Sequence, residues 1–348
     1  MAITSATPPG SEEMAATMAP SLRTTGPQRR PAAPSLSFSP LDSRIPVQYP
    51  VSMAQATRSS LTVLDTAQFS QRGTGCAYLL RSEKTAVIDT GTAASAPRLL
   101  EALRGMVIDY AFLTHVHLDH AGGAGHLVAA HPETTVVVHP RGLPYLADPE
   151  RLISGMRTAS PDLAPLYGEP RPIDRQRLAA CADGDVFPLG RECRLVAVET
   201  PGHAPHHVSY FEPETGVLFV GDAVGHHRTP VDLPLTVPPR FDREAARRSI
   251  RRMLDLHPTA LAFAHFGLAD RAKGLLESYP DRVDEWLARV AGLREGLPDD
   301  EAVADTVLAD SRFSTLSDVG KNALRLCVCG AILTLDAENS RPRTEPPS

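Results

Sequence analysis

Thr114-His115-Val116-His117-Leu118-Asp119-His120-Ala121-Gly122-Gly123 follows directly on the apolar run Tyr110-Ala111-Phe112-Leu113. The run reads as a buried strand and the ten residues after it as a strand-to-helix turn. Four donors able to bind metal, three imidazoles and one carboxylate, fall within six residues of each other. A lone buried histidine is ordinarily a hydrogen-bonded core residue, whereas four such donors on one turn are best accounted for by a metal site. Gly122 and Gly123 give the backbone room to turn tightly beside it.

Outward from this turn the chain alternates short strands with helices. Leu61–Asp65, Cys76–Leu80 and Thr85–Asp89 are predicted strands before it, and Thr135–His139, Cys193–Thr200, His207–Phe211, Val217–Gly221 and Ala260–Ala264 after it. Helical spacing covers Ala96–Leu103 and Arg243–Leu256. This mixture predicts an α/β protein with helices packed on sheet faces. The arginines of the second helix surround an apolar stripe of Ile250, Met253 and Leu254, as a solvated face requires. Three further ligand candidates sit at strand ends: His203 in Pro201-Gly202-His203, Asp222 in Val220-Gly221-Asp222, and His265 in Ala264-His265-Phe266-Gly267. Donors placed repeatedly at strand ends are what one site built on a rigid sheet needs.

The 348 residues are 42% hydrophobic and 22% charged, enough apolar content for a substantial core. A net charge of −6 offers no broad attraction for nucleic acid or an anionic membrane, so neither is an expected partner. No apolar run is long enough for a membrane span, and five scattered cysteines do not form a disulfide framework; a cytoplasmic protein with reduced thiols is expected. Residues 1–52 contain nine prolines and no periodicity and read as a disordered tail, with Met53 as an alternative start. Residues 53–268 form the predicted catalytic domain, 269–336 a helical region and 337–348 a second disordered tail. Within the domain, 140–182 is a Pro-rich excursion that reads as a lid, with Met156 and Tyr167 as candidate pocket residues.

The His-x-His-x-Asp-His motif, Pro-Gly-His, the strand-ending Gly-Asp and the final Ala-His-Phe-Gly, in that order over residues 60–268, resemble the metallo-β-lactamase-fold superfamily, in particular its glyoxalase II-like branch. The resemblance implies a four-layer αββα sandwich, here with a C-terminal helical appendage, and two metals at one edge of the β layers. It implies that His115, His117 and His203 hold one metal, that Asp119, His120 and His265 hold the other, and that Asp222 bridges them. By the same resemblance Asp89 supports the metal loops and His207 stands behind the ligands. His206 reads as a surface residue, and His226 as a candidate for the cleft.

Imidazole and carboxylate donors suit zinc foremost, and iron or manganese as well. Two divalent ions a few ångströms apart generate a bridging hydroxide near neutral pH, which leaves Asp119 and Asp222 as the carboxylates at the reacting centre. The expected function is a dimetal hydrolase of a small acyl compound, a thioester, lactone or related ester, with a homodimer as one arrangement. The alternatives are a mono-iron oxidoreductase resembling persulfide dioxygenases and a non-catalytic binding module on the same fold.

Overall fold

A computed structural model describes residues 60–227, 234–239 and 241–340. The predicted tail over 1–52 and Met53 lie outside the described residues. Two six-stranded sheets carry the chain in sequence order. The first consists of β1 (Ser60–Asp65), β2 (Cys76–Arg81), β3 (Thr85–Ile88), β4 (Tyr110–Phe112), β5 (Thr135–Val138) and β6 (Leu178–Ala180). The second consists of β7 (Val186–Gly190), β8 (Cys193–Glu199), β9 (Val208–Glu212), β10 (Val217–Gly221), β11 (Ala260–Phe263) and β12 (Gly267–Ala269). β3 to β6 run parallel, as do β10 and β11; the other neighbours are antiparallel.

The strand pleat sorts side chains into layers. In β2, Cys76, Tyr78 and Leu80 point between the sheets, where they meet Phe112 and Val137 from the first sheet and Leu195, Tyr210 and Phe219 from the second. The alternate residues Ala77 and Leu79 face outward. There they pack under α1 (Ala96–Ala102) and α3 (Ala124–Ala130), which follows the short α2 (Leu118–Ala121). In β10, Leu218 and Val220 face outward onto Ile250 and Met253 of α6 (Arg243–Asp255). Asp242 caps α6 by accepting from Ala245 N at 2.9 Å. Three of its arginines are engaged at the surface, Arg252 with Asp183, Arg247 with Asp284, and Arg243 with Asp284 and Glu338.

Between β5 and α6 the chain also forms α4 (Leu143–Ala147) and α5 (Glu150–Ala159), both within the excursion. After β12 come α7 (Ala272–Gly296), α8 (Asp300–Leu308) and α9 (Asp318–Asn339). Leu276, Trp286 and Val290 of α7, Val303 and Val307 of α8, and Leu324 and Val328 of α9 share one core with Leu261 and Phe263 of β11. The helical region is thus the outer layer over the second sheet, which completes an αββα sandwich. No helix among the described residues is long and apolar enough to cross a membrane.

The structure corrects several boundaries. The excursion ends sooner than residue 182, because Leu178–Ala180 pairs with Val136–Val138 as strand β6; without β-branched residues it has no strand signature. β7 and β12 are also additions, one interrupted by Pro188 and the other three residues long. α9 runs on to Asn339, beyond the expected tail boundary at 337.

Gly330 in α9 shows how closely the helical layer sits. A Cβ there would lie 2.0 Å from the backbone oxygen of Thr236, which cannot swing aside. Replacing Gly330 with Ala should cost about 1–3 kcal/mol. In α7 a Cβ on Gly274 meets nothing within 4 Å, so Gly274→Ala should gain about 0.5–1 kcal/mol in helix propensity. Chemical denaturation of both variants measures the opposite signs; equal effects would contradict this packing.

Candidate metal centre

The ends of β4, β8, β10 and β11 converge at one edge of the sandwich, and the seven donors meet there. Ligand atoms of His115, His117 and His203 lie within 4.8 Å of one another, as do those of Asp119, His120 and His265 and those of His115, His120 and Asp222. Asp222 Oδ2 stands 3.4 Å from His203 Nε2 and 3.3 Å from His120 Nε2, while Oδ1 is 3.5 Å from His265 Nε2. One carboxylate therefore reaches both clusters. It follows Gly221, whose φ of +49° admits no bulky residue and whose missing Cβ leaves space for His207 and Thr114.

Nitrogens of His120, His203 and His265 that turn away from the centre are bound to protein. His203 Nδ1 donates to Leu235 O at 2.8 Å and His265 Nδ1 to Thr74 O at 3.1 Å. His120 Nδ1 bonds Asp89 Oδ2 at 2.9 Å. Asp89 also accepts from Thr114 N and Thr114 Oγ1, so it ties the strand end to the turn. His207 Nε2 accepts from Asp222 N at 3.1 Å, which leaves Nδ1–H to donate to Thr200 Oγ1 at 2.8 Å. Bonds of this kind fix tautomer and ring angle and leave the opposite nitrogen facing inward.

Inward, the donors face one another. His117 Nδ1 lies 3.0 Å from both His115 Nε2 and His203 Nε2. His120 Nε2 and Asp222 Oδ1 are buried without a hydrogen-bond partner. Burial followed by the neighbouring imidazoles lowers the proton affinity of His115 and His117 well below that of free histidine. Burial would also lower His120 and His265, but the carboxylates of Asp222 and Asp119 outweigh it; His120 is raised and His265 is pushed up to about 10. Burial opposes the charge on both carboxylates in turn, and the surrounding imidazoles hold them below the usual range. Imidazole and carboxylate lone pairs turned inward, with Asp222 buried and Asp119 partly so, fit divalent cations, which satisfy the orphaned atoms and the negative charge together.

The remaining candidates fall around this centre. His226 lies with its ring 4.4 Å from that of His265. Tyr167 is buried, and its hydroxyl is held protonated by burial and then by the Asp119 and Asp222 charges, which places it within their field. With Leu163 it packs on Leu118, the residue before Asp119; Phe69, Met156, Val319 and Leu326 join the same cluster. The excursion therefore touches the ligand turn and α9 at once. His206 corrects the surface reading: it is buried, its ring centroid is 6.0 Å from that of His117, and burial lowers it to about 4. The Pro205 turn folds it back under the ligands, which its local sequence does not show.

Gln68 is a contributor the sequence did not reveal. Buried in the turn after β1, it donates Nε2–H to the Asp119 carbonyl at 2.6 Å. Ala67, Phe69 and Ser70 around it all have positive φ, a costly conformation for residues with side chains. No residue type in Asp65-Thr66-Ala67-Gln68-Phe69 signals that role.

The family model for the metallo-beta-lactamase superfamily matches residues 72–265. The metallo-beta-lactamase fold-containing protein ST1585 of Sulfurisphaera tokodaii is 32% identical over 198 residues, covering 55% of this chain and 72% of the relative. A hydroxyacylglutathione hydrolase of Brucella anthropi is 31% identical over 180 residues, 50% of this chain and 57% of that enzyme. Among solved structures, metallo-beta-lactamase family protein TTHA1429 of Thermus thermophilus superimposes with a TM-score of 0.62 at 21% identity, covering 83% of this chain and 96% of that one. A family match over more than half the chain, on a sandwich whose strand ends gather these donors, establishes that the protein belongs to the metallo-β-lactamase superfamily.

Proposed function

We propose that the protein is a dimetal hydrolase of a small acyl compound, a thioester, lactone or related ester. The observation that carries this reading is the position of Asp222 between two sets of three donors. His115, His117 and His203 would hold one ion, Asp119, His120 and His265 the other, with Asp222 shared. Zinc suits the donors best, and iron or manganese also fits them. Bound there, two divalent ions would supply Lewis acidity toward the acyl carbonyl and a nucleophile from water near neutral pH. The likeness to a hydroxyacylglutathione hydrolase supports a thioester within the class.

The chain's own residues do the rest. Asp89 holds His120 in register, and His207 holds the Asp222 backbone, so neither ligand has to be ordered during turnover. Tyr167 and Met156 form the wall on the side of the excursion, and His226 borders the centre beside His265. Apolar surface with one phenol suits an acyl chain carrying a polar end.

Metal-replete protein should contain two ions per chain and hydrolyse members of a thioester, lactone and ester panel. Asp222→Ala should lose one ion and nearly all activity, and Asp89→Asn should lose about 10–100-fold in activity or metal affinity. A stoichiometry that never exceeds one iron, with oxygen consumed, would establish the oxidoreductase instead.

Loading should also release protons. In metal-free protein at pH 7.5 His265, at about 10, carries a proton that metal coordination must displace, and the raised His120 acts in the same direction, so uptake releases at least one proton per chain and affinity rises with pH. Calorimetry in buffers of different ionisation enthalpy counts them; binding without proton release would contradict the assignment of these two ligands.

For the wall, Tyr167→Ala or Met156→Ala should change relative rates among acyl substrates of different size with metal content intact. Unchanged selectivity in both folded variants would remove the excursion from substrate choice.

A further inference from the structure

Trp286, near the middle of α7, donates its indole N–H to Thr236 Oγ1 at 2.9 Å. That hydroxyl donates onward to the carbonyl of Cys327 in α9 at 2.7 Å. Thr236 is fully buried, and the backbone oxygen of the same residue sits against Gly330. The preceding residue, Leu235, gives its carbonyl to His203 Nδ1–H at 2.8 Å, and its side chain lies in one core with Trp286, Cys327 and Ala331. A pair of residues is thus bonded on one side to a candidate ligand and on the other to two helices that carry none.

We propose that Thr236, clamped by Trp286 and Cys327, is a positioning residue that aims His203 at the metal through the Leu235 carbonyl; this rests on the metal centre proposed above. The physical chain is short. His203 presents Nε2 inward only while Nδ1–H has a fixed acceptor, and that acceptor is a backbone oxygen whose direction follows the Leu235–Thr236 peptide. The Thr236 hydroxyl spends its proton on Cys327 and a lone pair on Trp286, so the peptide plane is held from both helices. A valine there keeps the shape and removes both bonds, leaving the indole N–H unpaired in a dry core and the Cys327 carbonyl with its helix bond alone, which favours reorientation of the segment.

The test titrates zinc into full-length, metal-free protein against a chromophoric chelator. Thr236→Val should weaken one of the two binding steps about 10–100-fold and leave the other near its native value. Thr236→Ser, which restores the hydroxyl, should recover native affinity, and Trp286→Phe, which removes the donor alone, should weaken the same step by less. Loss confined to one step is what aiming His203 requires and general loosening of the fold does not produce. Should Thr236→Val fail to fold, Trp286→Phe decides alone: a weakened step supports the clamp and native affinity overturns it. Native affinity in both folded variants, or a loss with serine equal to that with valine, overturns the proposal while leaving the metal centre standing. A native protein that takes up no zinc, iron or manganese overturns the centre, and the clamp with it.

Discussion

Two buried carboxylates, a third that is partly buried and a ring of imidazoles meet at one end of an apolar sandwich, and the rest of the structure answers to that constraint. Burying an unpaired charge is among the costliest things a protein does, and burying an imidazole lone pair without a partner is only less so. Here outward nitrogens of five of the histidines are given a protein partner: Thr114 for His115, Asp89 for His120, Leu235 for His203, Thr74 for His265 and Thr200 for His207. What is left over points inward. The negative charge of Asp222 and Asp119, which outweighs burial and pushes His265 up to about 10, is the demand that cations answer.

Meeting that demand bends the backbone where the sheets end. Gly221 takes a left-handed conformation before Asp222, and Asp89 does so with a full side chain at φ 56°. Strain of this kind costs of order 1–3 kcal/mol for a non-glycine residue and persists only where neighbours over-determine it. Asp89 is over-determined by Thr114 and His120, which is also why it is useful: the residue that holds the strained turn is the one that holds the ligand. The turn at Ala67 to Ser70 repeats the pattern, with Gln68 anchored on the Asp119 carbonyl.

Sequence disclosed the parts of this arrangement that are local. The density of donors after Phe112, and single donors closing β10 and β11, are visible because one strand delivers each group and the strand itself has a signature. The sandwich was legible through the resemblance those motifs carry, whereas Tyr78 and Leu79, neighbours in one apolar run, are sorted onto opposite faces only by the structure. Contacts that join distant segments left no mark. Gln68 meets Asp119 across 51 positions and Thr236 meets Cys327 across 91, and an ordinary glutamine or threonine looks the same with or without such a partner. His206 misled for a related reason: two adjacent histidines before a strand suggest one in and one out, and a turn at Pro205 buried both. Short strands such as β6 and β12 depend on neighbours for their pairing and have too few residues to show a period.

Leu118 draws the layers together. It lies between His117 and Asp119, so its side chain is fixed by the same turn that places two ligands, and it packs on Leu163 and Tyr167 of the excursion. Val319 and Leu326 of α9 close the cluster from the C-terminal side and Phe69 from the strained turn. The cluster is therefore built from three separated stretches that all bear on one residue of the turn. Phe69 and Tyr167 meet edge to face with centroids 5.2 Å apart, a contact that resists independent movement of the two stretches. The excursion thus packs against a surface anchored to the turn that carries His117 and Asp119. It can change only as far as Leu118 remains packed, because displacing Leu118 moves His117 and Asp119 as well.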